Sequence, residues 1–482
     1  MNTLVRSFVA GLKRGAAEAR VLEEVGEPDP IKSGEAFLRA SAHPDLRGAL
    51  ELWAPALLLT ARPGFAAQCL EELATRYRET RQRALDPERV PGLLRLLGSS
   101  NFLARLLLRH PHWSDELFGD PPDPPGGDPI EPDWTAIRIA KYRGLLRIAA
   151  RDLLERPFEE SLSELSELAD RCLRAALICA THETSVAPPT LFALGKLGGR
   201  ELNFSSDVDL LFVYEAEPGP ADQARNEKVA RLIQVFKRHL EVASEDGFAY
   251  RVDLDLRPEG RSGALANSVG AALRYYETFG ADWERQAMIR LRYVTGPRAA
   301  GEDFAEQLLP FTYRALIDPG AIGAVRAMKI RIEAEHRSLG RDLEADLKSG
   351  PGGIRDVEFL VQTLQLLYGG RHRQVRTGNV LEALRAIREL GLLPEVVVEA
   401  LQDAYLWLRR AEHALQLVEE RQTHYFPRDA EPQLALARRM GYSDPKGAAA
   451  RNRLLDDWTG VRAQVREHFN ALILEPSDVP DV

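Results

Sequence analysis

Two segments of the chain gather acids at strand spacing. In LFALGKLGGRELNFSSDVDLLFVYE, residues 191–215, an apolar run enters a glycine-rich turn, and a second apolar run then opens with Asp207 and Asp209. Side chains alternate faces along a strand, so these two acids point one way while Val208 and Leu210 point the other. In FAYRVDLDLRP, residues 248–258, the same alternation places Asp253 and Asp255 on one face. Carboxylates lined up on one rim repel: two unit charges about 4 Å apart cost about 4 kcal/mol at an effective dielectric of 20. A bound cation relieves that repulsion. All-oxygen ligands with no histidine or cysteine suit Mg²⁺ or Mn²⁺ rather than zinc, and in phosphoryl chemistry such acids hold ions that clamp the attacking and leaving oxygens. The preceding turn offers an anion site: Gly198 and Gly199 let backbone N–H groups approach a phosphate, Ser205 and Ser206 add hydroxyl donors, and Lys196 supplies a positive charge. A lone Asp-x-Asp is more often a solvated strand edge. The conjunction of glycine turn, paired serines, Asp-x-Asp and a later strand aspartate favours catalysis.

These acids need strands to carry them and helices to hold the strands. From about Pro30 to Phe118, segments such as GALELWAPALLLTA and NFLARLLLRHPHW repeat apolar residues at three and four positions, which predicts a helical N-terminal domain over 1–118. Prolines, glycines and aspartates crowd GDPPDPPGGDPIEPDW and predict a linker over 119–134. Helix resumes through AIRIAKYRGLLRIAARDLLE and SLSELSELADRCLRAALICATHE and stops at Ala187-Pro188-Pro189. Short β-rich segments follow, separated by one amphipathic helix over Asp222–Asp246 that Gly247 ends. Residues 135–300 are therefore read as helices plus the acid-bearing core, and 301–475 as a C-terminal helical bundle closed by a short acidic tail. The fold class is α+β, a small mixed sheet flanked by large helical domains.

Composition bounds the alternatives. A chain of 482 residues exceeds what one hydrophobic core fills, so two or three domains are expected. A net charge of −9 argues against a protein that coats nucleic acid. Cys69, Cys172 and Cys179 form no close Cys-x-x-Cys pair and are read as buried apolar residues in a reducing compartment. The N-terminal apolar stretch is too short for a signal peptide, and no run approaches a membrane span, so a cytoplasmic protein without membrane contact is expected.

At the acids, the sequence resembles the DNA polymerase beta superfamily of nucleotidyltransferases, and more narrowly the bifunctional glutamine synthetase adenylyltransferase/adenylyl-removing enzymes. The resemblance rests on GKLGGRELNFSSDVDLLF, where Gly195, eleven residues, Asp207 and Asp209 form the family pattern. It extends through RVDLDLRPEGRSGALANS, YYETFGADWERQAMIRLRYVTG and GPGGIRDVEFLVQ. It implies a polymerase-beta-like core with Asp207, Asp209 and Asp253 as catalytic metal ligands, Mg²⁺ as the metal, and a nucleotide or phosphate site at Gly195, Lys196, Gly198, Gly199, Ser205, Ser206 and Arg257. The family has arginine or another non-acid where Asp255 stands, so Asp253 takes the third-carboxylate role.

Enzymes of this family carry two catalytic halves, one removing AMP from a tyrosine of glutamine synthetase and one attaching it. This chain has one Gly-x11-Asp-x-Asp, and GADWERQAM and GGIRDVEF are more similar to the removing half. The implied reaction is phosphorolysis to ADP. Glutamine synthetase, ATP or ADP, and phosphate are the implied partners, with the PII signalling protein and glutamine as further candidates. Attachment of AMP from ATP, and a non-catalytic regulatory half, are the rivals. Outside the acids, Arg285 reads as a buried ion pair with Glu284 or Asp282. Gly352-Gly353, with Asp356 and Glu358 in the following turn, reads equally as an anion site or a tight helix contact. His239 and His413 read as packing or surface residues.

Overall fold

The computed structural model describes residues 3–118, 130–153, 156–217, 220–245, 247–316, 320–442, 444 and 446–474. The centre of the expected linker and the acidic tail lie outside the described residues. The remainder is mostly helical around one small mixed sheet, as α+β requires. Helix starts follow local chemistry: Asp29 accepts from the Lys32 N–H ahead of Pro30, Ser100 from Leu103, and Asp133 from Thr135 and Ala136. Among the described residues, no helix is long and apolar enough to cross a membrane.

The sheet consists of β1 (Thr190–Ala193), β2 (Val208–Tyr214), β3 (Val252–Asp253), β4 (Asn267–Ser268) and β5 (Arg292–Thr295). β1 lies between β2 and β5, antiparallel to both. The outer edge of β2 is shared: β3 pairs with its start and β4 with its end, both parallel. Period-two alternation sorts the sheet's side chains between two cores. Leu191, Ala193, Leu210 and Phe212 join an apolar cluster that includes Phe236 of the Pro220–Glu241 helix, with the Phe212 and Phe236 rings 5.6 Å apart. Phe192, Leu194, Leu211 and Val213 join Tyr276, Met288 and Phe304 on the other face.

The first cluster does not stop at the linker. It includes residues from Val5 to Val294 and also Leu417 of the C-terminal bundle, so the N-terminal helices and one face of the sheet share a core. The bundle after Gly320 has its own core, from Val325 to Ile473. It docks on the first body through polar contacts, including the Phe102 N–H to Val418 O at 3.3 Å and the Arg105–Glu419 pair at 2.9 Å.

Two local expectations are corrected. The helix expected over Asp222–Asp246 spans Pro220–Glu241, because the Ala249 and Tyr250 N–H groups fold back onto Leu240 O at 2.9 and 3.0 Å and end it there. The strand expected through FAYRVDLDLRP is only Val252–Asp253. Past it the Asp255 N–H donates to Asp253 Oδ1 at 2.7 Å, which turns the chain and takes Asp255 out of strand alternation.

Candidate active site

The register of β2 and β3 sets Asp209 directly opposite Asp253. Asp207 stands just before β2, on the same face as Asp209. The turn between β1 and β2 explains its first glycine. Gly195 has φ +52°, and a Cβ there would lie 2.0 Å from Asp209 Oδ2. The carboxylate of Asp209 is packed against the bare α-carbon, a position that only glycine tolerates without displacement.

Burial, and then the neighbouring Asp253, pushes the Asp209 carboxyl up to about 6, while Lys348 works against both. Asp207 is held by Arg251 Nε, whose Nη2 donates to Ser205 O at 2.6 Å. Asp255 is paired with Arg261 at 2.6 Å. An open cleft of about 410 Å³ is lined by Asp207, Asp253 and Asp255 and by Lys237, Arg251 and Arg261. Larger cavities lie among the helices, away from β2 and β3.

The donor set suits a hard divalent cation. Asp209 and Asp253 are oxygen ligands forced together, and the raised Asp209 carboxyl records the repulsion that a cation would relieve. No three acids, histidines or cysteines converge into a ready metal cluster among the described residues. Asp207 is paired with Arg251.

The residues expected to cradle phosphate at the turn have protein partners. Lys196 Nζ meets Glu412 Oε2 at 2.7 Å inside the protein. Burial, with Arg409 and Lys348 adding to it, lowers this lysine to about 8 against the pull of Glu412. Ser205 Oγ donates to Gln416 O at 3.3 Å, and Ser206 Oγ accepts from the Asn203 N–H at 3.2 Å. A Cβ on Gly198 would meet Arg290 O at 1.9 Å, and one on Gly199 would meet Gly378 O at 2.6 Å, so both glycines serve close packing. Arg257 is buried, and its guanidinium donates to the carbonyls of Leu254, Arg261, Gly263 and Ala264, which shapes the loop after β3.

These contacts belong to a buried charged network between the turn and the Glu395–Gln416 helix. Asn203 Nδ2 and His424 Nδ1 also reach Glu412, at 2.6 and 2.9 Å. Arg409 Nη2 donates to Asn203 Oδ1 at 2.9 Å, and Tyr405 OH donates to Glu201 at 3.0 Å. Burial pushes Glu412 up, but Lys196, His424 and Arg409 together hold it well below the usual carboxylate range.

Other candidates settle simply. Asp356 caps its own helix start by accepting from the Gly352 N–H at 2.8 Å and pairs with buried Lys329, while Glu358 pairs with Arg290 at 3.0 Å. The tight-contact reading of Gly352-Gly353 therefore holds, since a Gly352 Cβ would meet Arg462 O at 2.1 Å. Arg285 is buried and pairs with Asp282 at 3.3 Å. His413 packs between Phe158 and Phe204, and the three cysteines are buried thiols.

Sequence reasoning passed over Arg251, Lys237 and Lys348. Arg251 was within reach, because alternation in YRVD puts it on the face of Asp253. Lys237 Nζ donates to Val252 O from a helix, and the field of Lys348 reaches Asp209 from the bundle; only packing brings either to the cleft.

Comparison with known proteins finds two family matches along the chain. Residues 125–307 match the glutamate-ammonia ligase adenylyltransferase family, and residues 325–473 match the GlnD PII-uridylyltransferase family. Relatives named bifunctional glutamine synthetase adenylyltransferase/adenylyl-removing enzyme include one from Nitrosococcus oceani, 40% identical over 72% of this chain and 37% of its own length. Another, from Stenotrophomonas maltophilia, is 40% identical over 74% of this chain and 40% of its own length. A third, from Hahella chejuensis, is 38% identical over 81% of this chain and 43% of its own length. The chain thus spans roughly two fifths of these relatives. Over the part that it spans, the chain is similar to these bifunctional glutamine synthetase adenylyltransferase/adenylyl-removing enzymes.

Proposed function

We propose that the chain removes AMP from an adenylylated tyrosine of glutamine synthetase by phosphorolysis. An oxygen of inorganic phosphate attacks the AMP phosphorus, the bond to the tyrosine oxygen breaks, and ADP and the free tyrosine result. The observation that carries this reading is the Asp209–Asp253 pairing beside Asp207, at a cleft that also presents Lys237, Arg251 and Arg261. Acids fit a divalent cation and cations fit phosphate, and phosphoryl transfer needs both. Mg²⁺, or Mn²⁺ in its place, would be held by Asp209, Asp253 and Asp207 and would offset charge on the phosphoryl oxygens. Arg251, released from Asp207, and Lys237 are placed to orient the incoming phosphate and the AMP phosphate for in-line displacement.

Removal rather than attachment is favoured by the wording GADWERQAM and GGIRDVEF and by the second family match over 325–473. The test supplies Mg²⁺, phosphate and adenylylated glutamine synthetase. ADP should appear, and leaving out phosphate should stop it. Formation of pyrophosphate and AMP-tyrosine from ATP and unmodified glutamine synthetase, without ADP release in the first assay, would assign the chain to attachment instead. Binding of the PII protein or glutamine with neither reaction would make it a regulatory half.

A further inference from the structure

A cavity of about 660 Å³ lies away from the carboxylate cleft, where the N-terminal helices, residues 152–153 and 156–159 and the C-terminal bundle meet. Arg95, Arg410, Arg438 and Arg439 line it, against the acids Asp152 and Glu159. A fifth arginine, Arg156, is already committed to Glu160 and Glu164 at 2.6 and 2.8 Å. Among the described residues, none of the first four has an ion-pair partner. Arg95 Nη1 donates to Leu153 O at 3.0 Å and Arg439 Nε to Ser99 O at 2.9 Å, which leaves most of each guanidinium's five N–H groups unused. Arg410 lies 5.8 Å from the centre of the Phe158 ring.

Arg438 is the most telling. It is 8% exposed, its Nη2 donates to Val25 O, and its Nε has no hydrogen-bond partner among the described residues. Asp152 does not compensate it, being engaged by Ser161 Oγ at 2.8 Å and by His413 at 3.6 Å. Burial lowers Arg438 to about 10, with Glu27 offsetting part of the effect, and burial with the field of Arg62 lowers Arg439 to about 9. Desolvated cations without partners are costly in a folded protein. The lining also includes Phe158, Trp407 and Tyr442, and the volume falls within the roughly 300–1,000 Å³ of small-molecule sites.

We propose that this cavity is a second binding site, for a small anionic metabolite that places phosphate or carboxylate groups on Arg95, Arg410, Arg438 and Arg439 and a flat apolar portion against Phe158 and Trp407. The arginines select charge and the aromatic wall selects shape.

The test is calorimetric titration of the full chain with ADP and, separately, with benzene-1,3,5-tricarboxylate, in EDTA so that cation-dependent binding at the carboxylates is silent. At least one probe should bind with a Kd of about 1 mM or tighter, and the stronger of the two identifies phosphate or carboxylate as the preferred group. Arg410→Gln and Arg439→Gln should each weaken that binding at least tenfold, whereas Arg261→Gln in the carboxylate cleft should leave it unchanged. Arg410 lies beside the Phe158 ring and acts on Asp152 through its charge but makes no hydrogen bond among the described residues, so Arg410→Gln is the milder change of the two, and a melting curve checks that it folds. No binding of either probe, or equal binding by folded Arg410→Gln, overturns the proposal. Neither measurement reads turnover, so the outcome is independent of the reaction assigned to the carboxylates.

Discussion

Asp209 and Asp253 sit opposite one another in the parallel register of β2 and β3, and the carboxylate of Asp209 lies against the bare α-carbon of Gly195. One short strand pair and one glycine thus concentrate negative charge at a single point. The predictions below start from that concentration.

Asp209→Asn and Asp253→Asn should each lower kcat for ADP release at least about a hundredfold while the melting curve stays cooperative, because such ligands act mainly in the transition state. Asp255→Asn should be mild, since Asp255 is already paired with Arg261 and lies outside the β2–β3 register. Steady-state kinetics on the three variants decide it. A severe Asp255 variant beside an active Asp253 variant would show the wrong acid to have been chosen.

The Asp209 carboxyl, raised from 3.8 to about 6 chiefly by burial and then by Asp253, makes a signed statement about stability. The folded state holds this proton more tightly than the unfolded chain does. The contribution is therefore fully present below about pH 4 and is lost as pH rises through about 6. In EDTA, Asp209→Asn should melt a few degrees above the parent at pH 7.5, and the gap should close at pH 4.5. Thermal scans at the two values test the sign.

Gly195→Ala should disable the site without unfolding the protein. The new methyl would lie 2.0 Å from Asp209 Oδ2, at a backbone φ of +52° that already strains an L-residue. We expect a cost of about 1 to 3 kcal/mol in stability and a loss of activity comparable to that of Asp209→Asn. Near-parental turnover in Gly195→Ala would mean that the carboxylate's position against Gly195 is immaterial.

Glu412→Gln removes the one acid shared by Lys196, Asn203 and His424. Breaking a buried pair by removing one partner leaves the other charge uncompensated, so unfolding free energy should fall by about 3 to 5 kcal/mol. Because this network holds the turn that carries Asp207, activity should fall with it. A urea titration alongside an activity assay reads both effects, and an unchanged midpoint would show the network to be dispensable.

The residues proposed to do the chemistry were legible because their signal is local. Alternation in DVDLL and RVDLD sets faces without knowledge of the rest of the fold, and the glycine, eleven residues, Asp-x-Asp spacing is a property of one turn between two strands. Helical periodicity likewise reported the flanking helices, since an amphipathic stripe is written within each segment.

What tertiary structure decided is where each polar side chain spends its hydrogen bonds. Lys196, Ser205, Ser206 and Arg257 have the right types for phosphate, yet Glu412, Gln416, Asn203 and a ring of loop carbonyls claim them first, and those partners lie up to 216 residues away. Asp255 follows the alternation rule on paper, and a single backbone N–H bond to Asp253 turns it off the face. Lys348 and the arginine-lined cavity gather residues from separate helices, which no spacing rule connects. A strand or a turn is dictated by neighbours in sequence; the partner of a buried charge is dictated by whatever packing brings within about 3 Å of it.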